Sequence, residues 1–213
     1  MNRGRILEAW RRKLAEGTPI RGGPAGPDYF TATHFEKLGL QDAPSLAGLL
    51  PLGDANALAI RSAKDRVGAA GGAPVLAGVC ATDPLRMMET FLQEIRATGA
   101  AGVLNYPSVG LVDGSFRKTI EDAKLGYDRE VEMIRIASRM DLITAALAFT
   151  PEEARRMTEA GADLIVAHPG FADRKSAGAV LSAIAAAARE SKKGILVLAV
   201  QSAAEGLDGI QTE

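Results

Sequence analysis

Seven short apolar runs recur along this chain, and most of them are continuous rather than alternating. They are TPIRGG (18–23), APVLAGVCAT (73–82), AGVLNYPSVG (101–110), DLITAALAF (141–149), DLIVAHPG (163–170), GILVLAVQ (194–201) and GLDGIQTE (206–213). A strand that is apolar on both faces needs cover on both, which is the situation of a parallel sheet wrapped in helices. The stretches between the runs have helical periodicity. Residues 84–97 place Leu85, Met88, Phe91, Leu92 and Ile95 on one side. Thr82 or Asp83 is positioned to cap that helix, Pro84 suits its first turn and Gly99 its end. Thr150-Pro-Glu-Glu153 has the capping-box spacing and Gly161 closes its helix, while 176–189 is Ala-rich and helical.

This alternation predicts an α/β chain. A weak internal echo supports it: ATGAAGVLNYPSVG (97–110) and EAGADLIVAHPGFA (159–172) share a helix end, Gly, an apolar strand, a polar residue and Pro. Seven recognisable strands predict a (β/α)8 TIM barrel in which the second strand and parts of the mouth loops are short or missing. The gap lies between Gly39 and Ser45, where only Leu40–Pro44 is on offer. With 213 residues the expectation is one domain over 1–213. Residues 1–17 open it with an amphipathic helix whose Trp10 packs either under its own barrel or against another copy in a homo-oligomer. A doubly wound open sheet is the rival fold, but GGPAG (22–26) lacks the G-x-G-x-x-G spacing that would announce it.

Charge narrows the partners. With 25 basic and 26 acidic residues the net charge is −1, so neither a nucleic acid nor a membrane surface is expected. No apolar run approaches the ~18–20 residues of a membrane span. A single cysteine makes no internal disulfide, so a reducing, cytoplasmic setting is the expectation.

In barrel enzymes, reactive groups sit where strands end and helices begin. Those positions carry Cys80, Thr82 and Asp83, then Asn105, Tyr106 and Ser108, then Phe149 and Thr150, then His168, then Gln201. Their convergence on one mouth predicts a small-molecule site. Cys80 reads either as a small buried hydrophobe or as a thiol activated by a helix N-terminus. His168 reads as an acid/base or ligand-binding group, or as a structural hydrogen-bonding residue. Gly110, Gly114 and Gly126 allow close backbone approach to a ligand in the long segment after strand four. Glu130 and Glu132 are either solvated helix charges or, directed at the mouth, metal-side carboxylates. Asp54 is a helix N-cap or, with Asn56, a metal or substrate ligand. No HExxH, P-loop, Cys-x-x-Cys, G-x-S-x-G or EF-hand motif occurs.

Five blocks together, SLAGLLPLGDANALA, PVLAGVCATDP, VLNYPSVGLVDGSFRKTIED, LGYDREVEMIRIA and EEARRMTEAGADLIVAHPG, resemble the TIM-barrel phosphoenolpyruvate hydrolase-like family. The likeness covers most of residues 5–170, in the family's order. It implies a metal-assisted hydrolase or lyase acting on a small phospho- or oxo-carboxylate such as phosphonopyruvate or phosphoenolpyruvate. It maps onto His168, Cys80 and Glu130 as catalytic groups. Asn56, Thr82, Asn105, Gly110 and Tyr127 follow as substrate contacts, and Asp54 and Asp83 as ligands of a divalent ion, Mg²⁺ by expectation. To these the strand-end reading adds Tyr106, and backbone N–H groups around Gly22, Gly23 and Gly110 as a phosphate or phosphonate site. A related domain forms the C-terminal part of a plant antiviral resistance protein, so a non-catalytic ligand-binding or protein-interaction barrel stands as the alternative. The chain departs from the family at its mouth. The Tyr-Asn-Ser-Gly-like strand-two loop, the Gly/Thr-rich loop after His168 and the His-Gly-Gly-like turn after strand seven are missing.

Overall fold

A computed structural model describes residues 2–23, 28–34, 48–51, 53–172, 174–200 and 210–211. Six strands of four to six residues form its parallel sheet: β2 (Tyr29–Ala32), β3 (Val75–Val79), β4 (Gly102–Asn105), β5 (Ile143–Ala148), β6 (Leu164–Ala167) and β7 (Leu196–Val200). Two-residue strands flank them, β1 (Gly22–Gly23) parallel to β2 and β8 (Ile210–Gln211) antiparallel to β7. Neighbours in the sheet follow chain order from β1 to β8, with no β8–β1 pairing among the described residues. The α/β class and sequential parallel order agree with the sequence. Among the described residues the eighth strand runs antiparallel rather than parallel, and the parallel strands form a curled half-barrel without closure.

The strand sought between Gly39 and Ser45 is instead Tyr29–Ala32, upstream of that gap. Its four residues are too few to show a period, and Pro27-Asp28 just before it read as loop. It joins the sheet through the register Phe30↔Val75 and Ala32↔Ala77, a long-range pairing that local pattern does not encode. Leu40–Pro44 and Gln201 lie outside the described residues.

Among the described residues seven α-helices accompany the strands: α1 (Arg3–Ala15), α2 (Ala55–Ala69), α3 (Met88–Ala97), α4 (Gly114–Asp122), α5 (Tyr127–Arg139), α6 (Pro151–Glu159) and α7 (Arg174–Ser191). The capping box forms with a shift. Thr150 Oγ1 accepts from Glu153 N at 3.1 Å, but Glu153 reaches back one residue further, accepting from Phe149 N at 2.9 Å. α3 begins later than its periodicity predicts. Its N-cap is Met87 with no side-chain cap, and Asp83 is spent elsewhere.

The period of two along each strand divides the core. Val103, Ala146, Ile165 and Val197 face α3, α5, α6 and α7. Leu104, Leu147, Leu164 and Leu198 face the concave side, where Leu7 and Trp10 of α1 join them. Trp10 therefore packs under its own sheet. Such a concave core needs strands apolar on both faces, which is why the runs are continuous. Gly22 lets β1 close over this core, because a Cβ there would lie 1.8 Å from the Tyr29 ring.

α1 is tied to the strand starts by charge. Arg3 grips both oxygens of buried Asp163, at 3.0 and 2.8 Å, and Asp163 also accepts from Thr144 N at 2.9 Å. Lys13 pairs with Asp28. Asp163→Ala leaves the Thr144 amide without its acceptor and Arg3 with its longer bonds to Ser138 O and Asp141, and is expected to cost about 2–3 kcal/mol. Trp10 is the only tryptophan, so its fluorescence reports α1 docking. In urea the variant should show the Trp10 red shift at lower denaturant than the loss of helical circular dichroism. Coincident, unshifted transitions would sink this account of α1.

Candidate active site at the strand ends

The strand register carries the concave positions onward to Cys80, Tyr106, Phe149 and His168, in phase with Leu76, Leu104, Leu147 and Val166. Asn105 has the opposite phase and points into the helix layer. Two separate groups of polar residues result.

The first group surrounds β3's end. A pocket of about 350 Å³ is lined by Asp54, Cys80, Thr82, Asp83, Arg86 and the apolar rim of Pro51, Pro84 and Leu85. Asn56 is buried on α2 beneath it. It donates to Cys80 O at 3.0 Å and to Asp83 Oδ2 at 2.9 Å, and accepts from Cys80 N at 3.0 Å. Asp54 is the N-cap of α2, accepting from Ala57 N at 2.9 Å. Arg86 ties the two loops together, donating to Asp83 Oδ2 at 2.5 Å and Asp54 Oδ2 at 2.7 Å. Arg86's hydrogen bond, then the Ala57 amide, lowers the Asp54 pKa. Burial opposes ionisation of Asp83, but the Leu85 amide, Asn56 and Arg86 outweigh it and lower its pKa too. Cys80 sits eight residues before α3, so it is not at the N-terminus of that helix as its place in the sequence suggests. Burial pushes its thiol pKa up, partly offset by Thr82, whose hydroxyl lies 3.6 Å from Sγ. The thiol is therefore neutral and not a ready nucleophile.

The second group lies between sheet and helix. Glu130 of α5 is 0% exposed. Its Oε2 accepts from Asn105 Nδ2 at 2.5 Å and Ser108 Oγ at 2.7 Å, and its Oε1 from Val109 N at 2.8 Å. Asn105 Oδ1 accepts from Leu147 N at 2.7 Å. Tyr127, fully buried, donates to Leu147 O at 2.5 Å. Burial raises the Glu130 pKa to about 7 against these three hydrogen bonds. Asn105, Glu130 and Tyr127 thus brace the β4–α4 segment from behind rather than face the mouth. Gly110 belongs to that segment. A Cβ on it would lie 2.1 Å from the Phe149 ring, so its close approach is to Phe149.

His168 stands on the concave side against Phe149, ring centroids 5.1 Å apart. Its Nδ1 accepts from Gly170 N at 2.9 Å, which puts the proton on Nε2. Burial lowers its pKa to about 4, so the imidazole is neutral near pH 7 and serves as a hydrogen-bond donor.

Two residues escaped the sequence reading. Arg86 was one more charge on a predicted amphipathic helix, and only the late start of α3 makes it a loop residue. His34, just past β2, was hidden with its strand. It is 0% exposed, its ring centroid 5.9 Å from that of Tyr106, and neither ring nitrogen has a hydrogen-bond partner among the described residues. Burial lowers its pKa.

The residues expected to hold a divalent ion do not fit one as arranged. Asp54 and Asp83 have all four carboxylate oxygens engaged by protein donors, and Glu130 is spent behind the sheet. No helix among the described residues is long and apolar enough to cross a membrane.

Comparison of the sequence with known proteins identifies a family. The chain is 44% identical over 188 residues to two Solanum lycopersicum proteins, the ToMV resistance protein Tm-1(GCR237) and the ToMV susceptible protein tm-1(GCR26). Each match covers 82% of this chain and 25% of the tomato protein. It is 34% identical over 146 residues to y4pA of Sinorhizobium fredii, covering 68% of this chain and 24% of that one. The chain thus spans about a quarter of the length of these relatives. The model of the phosphoenolpyruvate hydrolase-like family matches residues 25–204, from just before β2 to just past β7, and the chain belongs to that family.

Proposed function

We propose that the mouth binds a small phospho- or oxo-carboxylate and cleaves it by hydrolase or lyase chemistry. The observation that carries this reading is the pocket of about 350 Å³ at β3's end, where Thr82, Cys80 and the Arg86 guanidinium sit beside an apolar rim. Such a mixture suits a short carbon skeleton with anionic ends. Family membership supports the same class. Hydrolysis of phosphonopyruvate breaks its P–C bond, and hydrolysis of phosphoenolpyruvate a P–O bond. Water supplies the oxygen to phosphorus, and both routes pass through enolpyruvate or its enolate before a proton gives pyruvate. A neutral donor such as His168 Nε2–H stabilises the developing enolate oxygen without first losing a proton.

The test is release of phosphate and pyruvate from the two compounds, each with Mg²⁺ and with chelator. Equal release of both products supports the reading. No release from either compound overturns it.

A second reading, binding without turnover, is favoured by one observation. Leu50, Leu85, Met87, Phe116 and Phe171, the large apolar side chains left exposed among the described residues, all lie on segments that follow strand ends, with Leu85 88% exposed. Calorimetric binding of phosphoenolpyruvate with no product release would select it.

A further inference from the structure

We infer that Arg86 is the resident cation of the Asp54–Asp83 pocket, standing where a divalent ion would otherwise sit, and that the pocket takes up no divalent metal while Arg86 is in place. This goes beyond the proposed reaction and holds whether or not the site turns a substrate over.

The guanidinium meets Asp83 through one terminal nitrogen, at 2.5 Å, and Asp54 through the other, at 2.7 Å. It also lies over the face of the Phe91 ring, 5.7 Å from the centroid. The carboxylates' other oxygens are also taken. Asp54 Oδ1 accepts from Ala57 N and Asp83 Oδ1 from Leu85 N, both at 2.9 Å. Asn56 donates to Asp83 Oδ2 from below at 2.9 Å. A divalent ion would have to displace a guanidinium with two charge-assisted hydrogen bonds and then share oxygens that hold backbone amides. Two carboxylates and one guanidinium sum to −1, so Arg86 offsets half of the negative charge that would draw a cation into the pocket.

The arrangement also explains why this cation is an arginine. The two acceptors come from different loops, one before α2 and one after β3, and the planar fork spans both. A lysine offers a point charge without that span. Arg86 therefore closes the pocket as well as charging it.

The experiment is titration of the intact chain with Mn²⁺, followed by the electron paramagnetic resonance signal of free Mn²⁺, for wild type, Arg86→Ala and Arg86→Gln. Circular dichroism establishes that each variant is folded, and the glutamine variant keeps most of the side-chain bulk should alanine not fold. Wild type is expected to bind no stoichiometric Mn²⁺ at micromolar concentration. The variants should bind one ion per chain at least about tenfold more tightly than wild type, a gain removed by adding Asp54→Asn. One tightly held Mn²⁺ per wild-type chain would overturn the inference, and so would folded variants that bind no more tightly than wild type. None of these outcomes depends on product release, so failure here and failure of the proposed reaction are separately visible.

Discussion

Glu130→Ala is expected to lower the stability of the fold by about 3–5 kcal/mol, an unusually large effect for one surface-distant polar group. Three donors converge on this carboxylate: the Asn105 amide, the Ser108 hydroxyl and the Val109 amide. Asn105 and Ser108 are buried and Val109 half-buried, and each buried donor stranded by the truncation loses its partner without gaining a solvent one. Asn105 would also lose part of its hold on β5, since its amide spans Glu130 and both backbone groups of Leu147. The measurement is the urea midpoint of both proteins, and a loss under about 1 kcal/mol would show that Glu130 is not the brace of this segment.

Glu130→Gln separates charge from shape. Burial raises the folded pKa to about 7 from an ordinary 4.5, with Glu153 adding repulsion. Between those values the folded chain binds more protons than the unfolded one. The contribution of this group is therefore whole below 4.5 and is lost as pH rises through about 7. Relative to Glu130→Gln, wild type should lose roughly 3 kcal/mol between about pH 4 and about pH 8. A stability difference that stays constant over that range would contradict a buried, proton-holding Glu130.

His168→Ala should lower kcat for product release from phosphoenolpyruvate or phosphonopyruvate by roughly 10²–10⁴ while leaving the urea midpoint close to wild type. The side chain is half-buried and contributes its Nδ1 acceptor to Gly170 alone, so the fold depends on it little. Its Nε2 proton is the one directed away from the backbone, and a donor aimed at developing negative charge is worth more in the transition state than in the bound substrate. Because burial holds its pKa at about 4, His168 stays neutral from neutral pH down to about 4, below which protonation turns Nδ1 from the acceptor of the Gly170 amide into a donor. The profile of kcat/KM against pH checks both points. A limb near 6.5 that disappears in His168→Ala would mean an ordinary, solvated histidine, and unchanged kcat in the variant would remove it from the reaction.

Much of this was visible before any coordinates. The continuous runs at 75–79, 143–148 and 196–200 announce strands covered on both faces, because a buried parallel strand has no polar side to show. Thr150 and Gly161 bracket α6 by local chemistry, a cap oxygen at one end and a positive φ of 100° at the other. Asp54 caps α2 for the same local reason. These are interactions between residues a few positions apart, so the amino-acid order alone specifies them.

What the order alone did not decide is which partner each polar strand-end residue meets. Asn105 and Tyr106 are adjacent, yet one braces Glu130 behind the sheet and the other continues the concave face, a choice set by register against β3 and β5. Strand β2 exists through its pairing with β3, not through its four residues. Arg86 became the cation of the pocket only when α3 began at Met88 and the Asp54 loop was brought beside it, 32 positions away in sequence. Local propensity and hydrophobic period act within a turn or a strand. Contacts across the sheet depend on the register of elements far apart in the chain, and that is settled by packing the whole core at once.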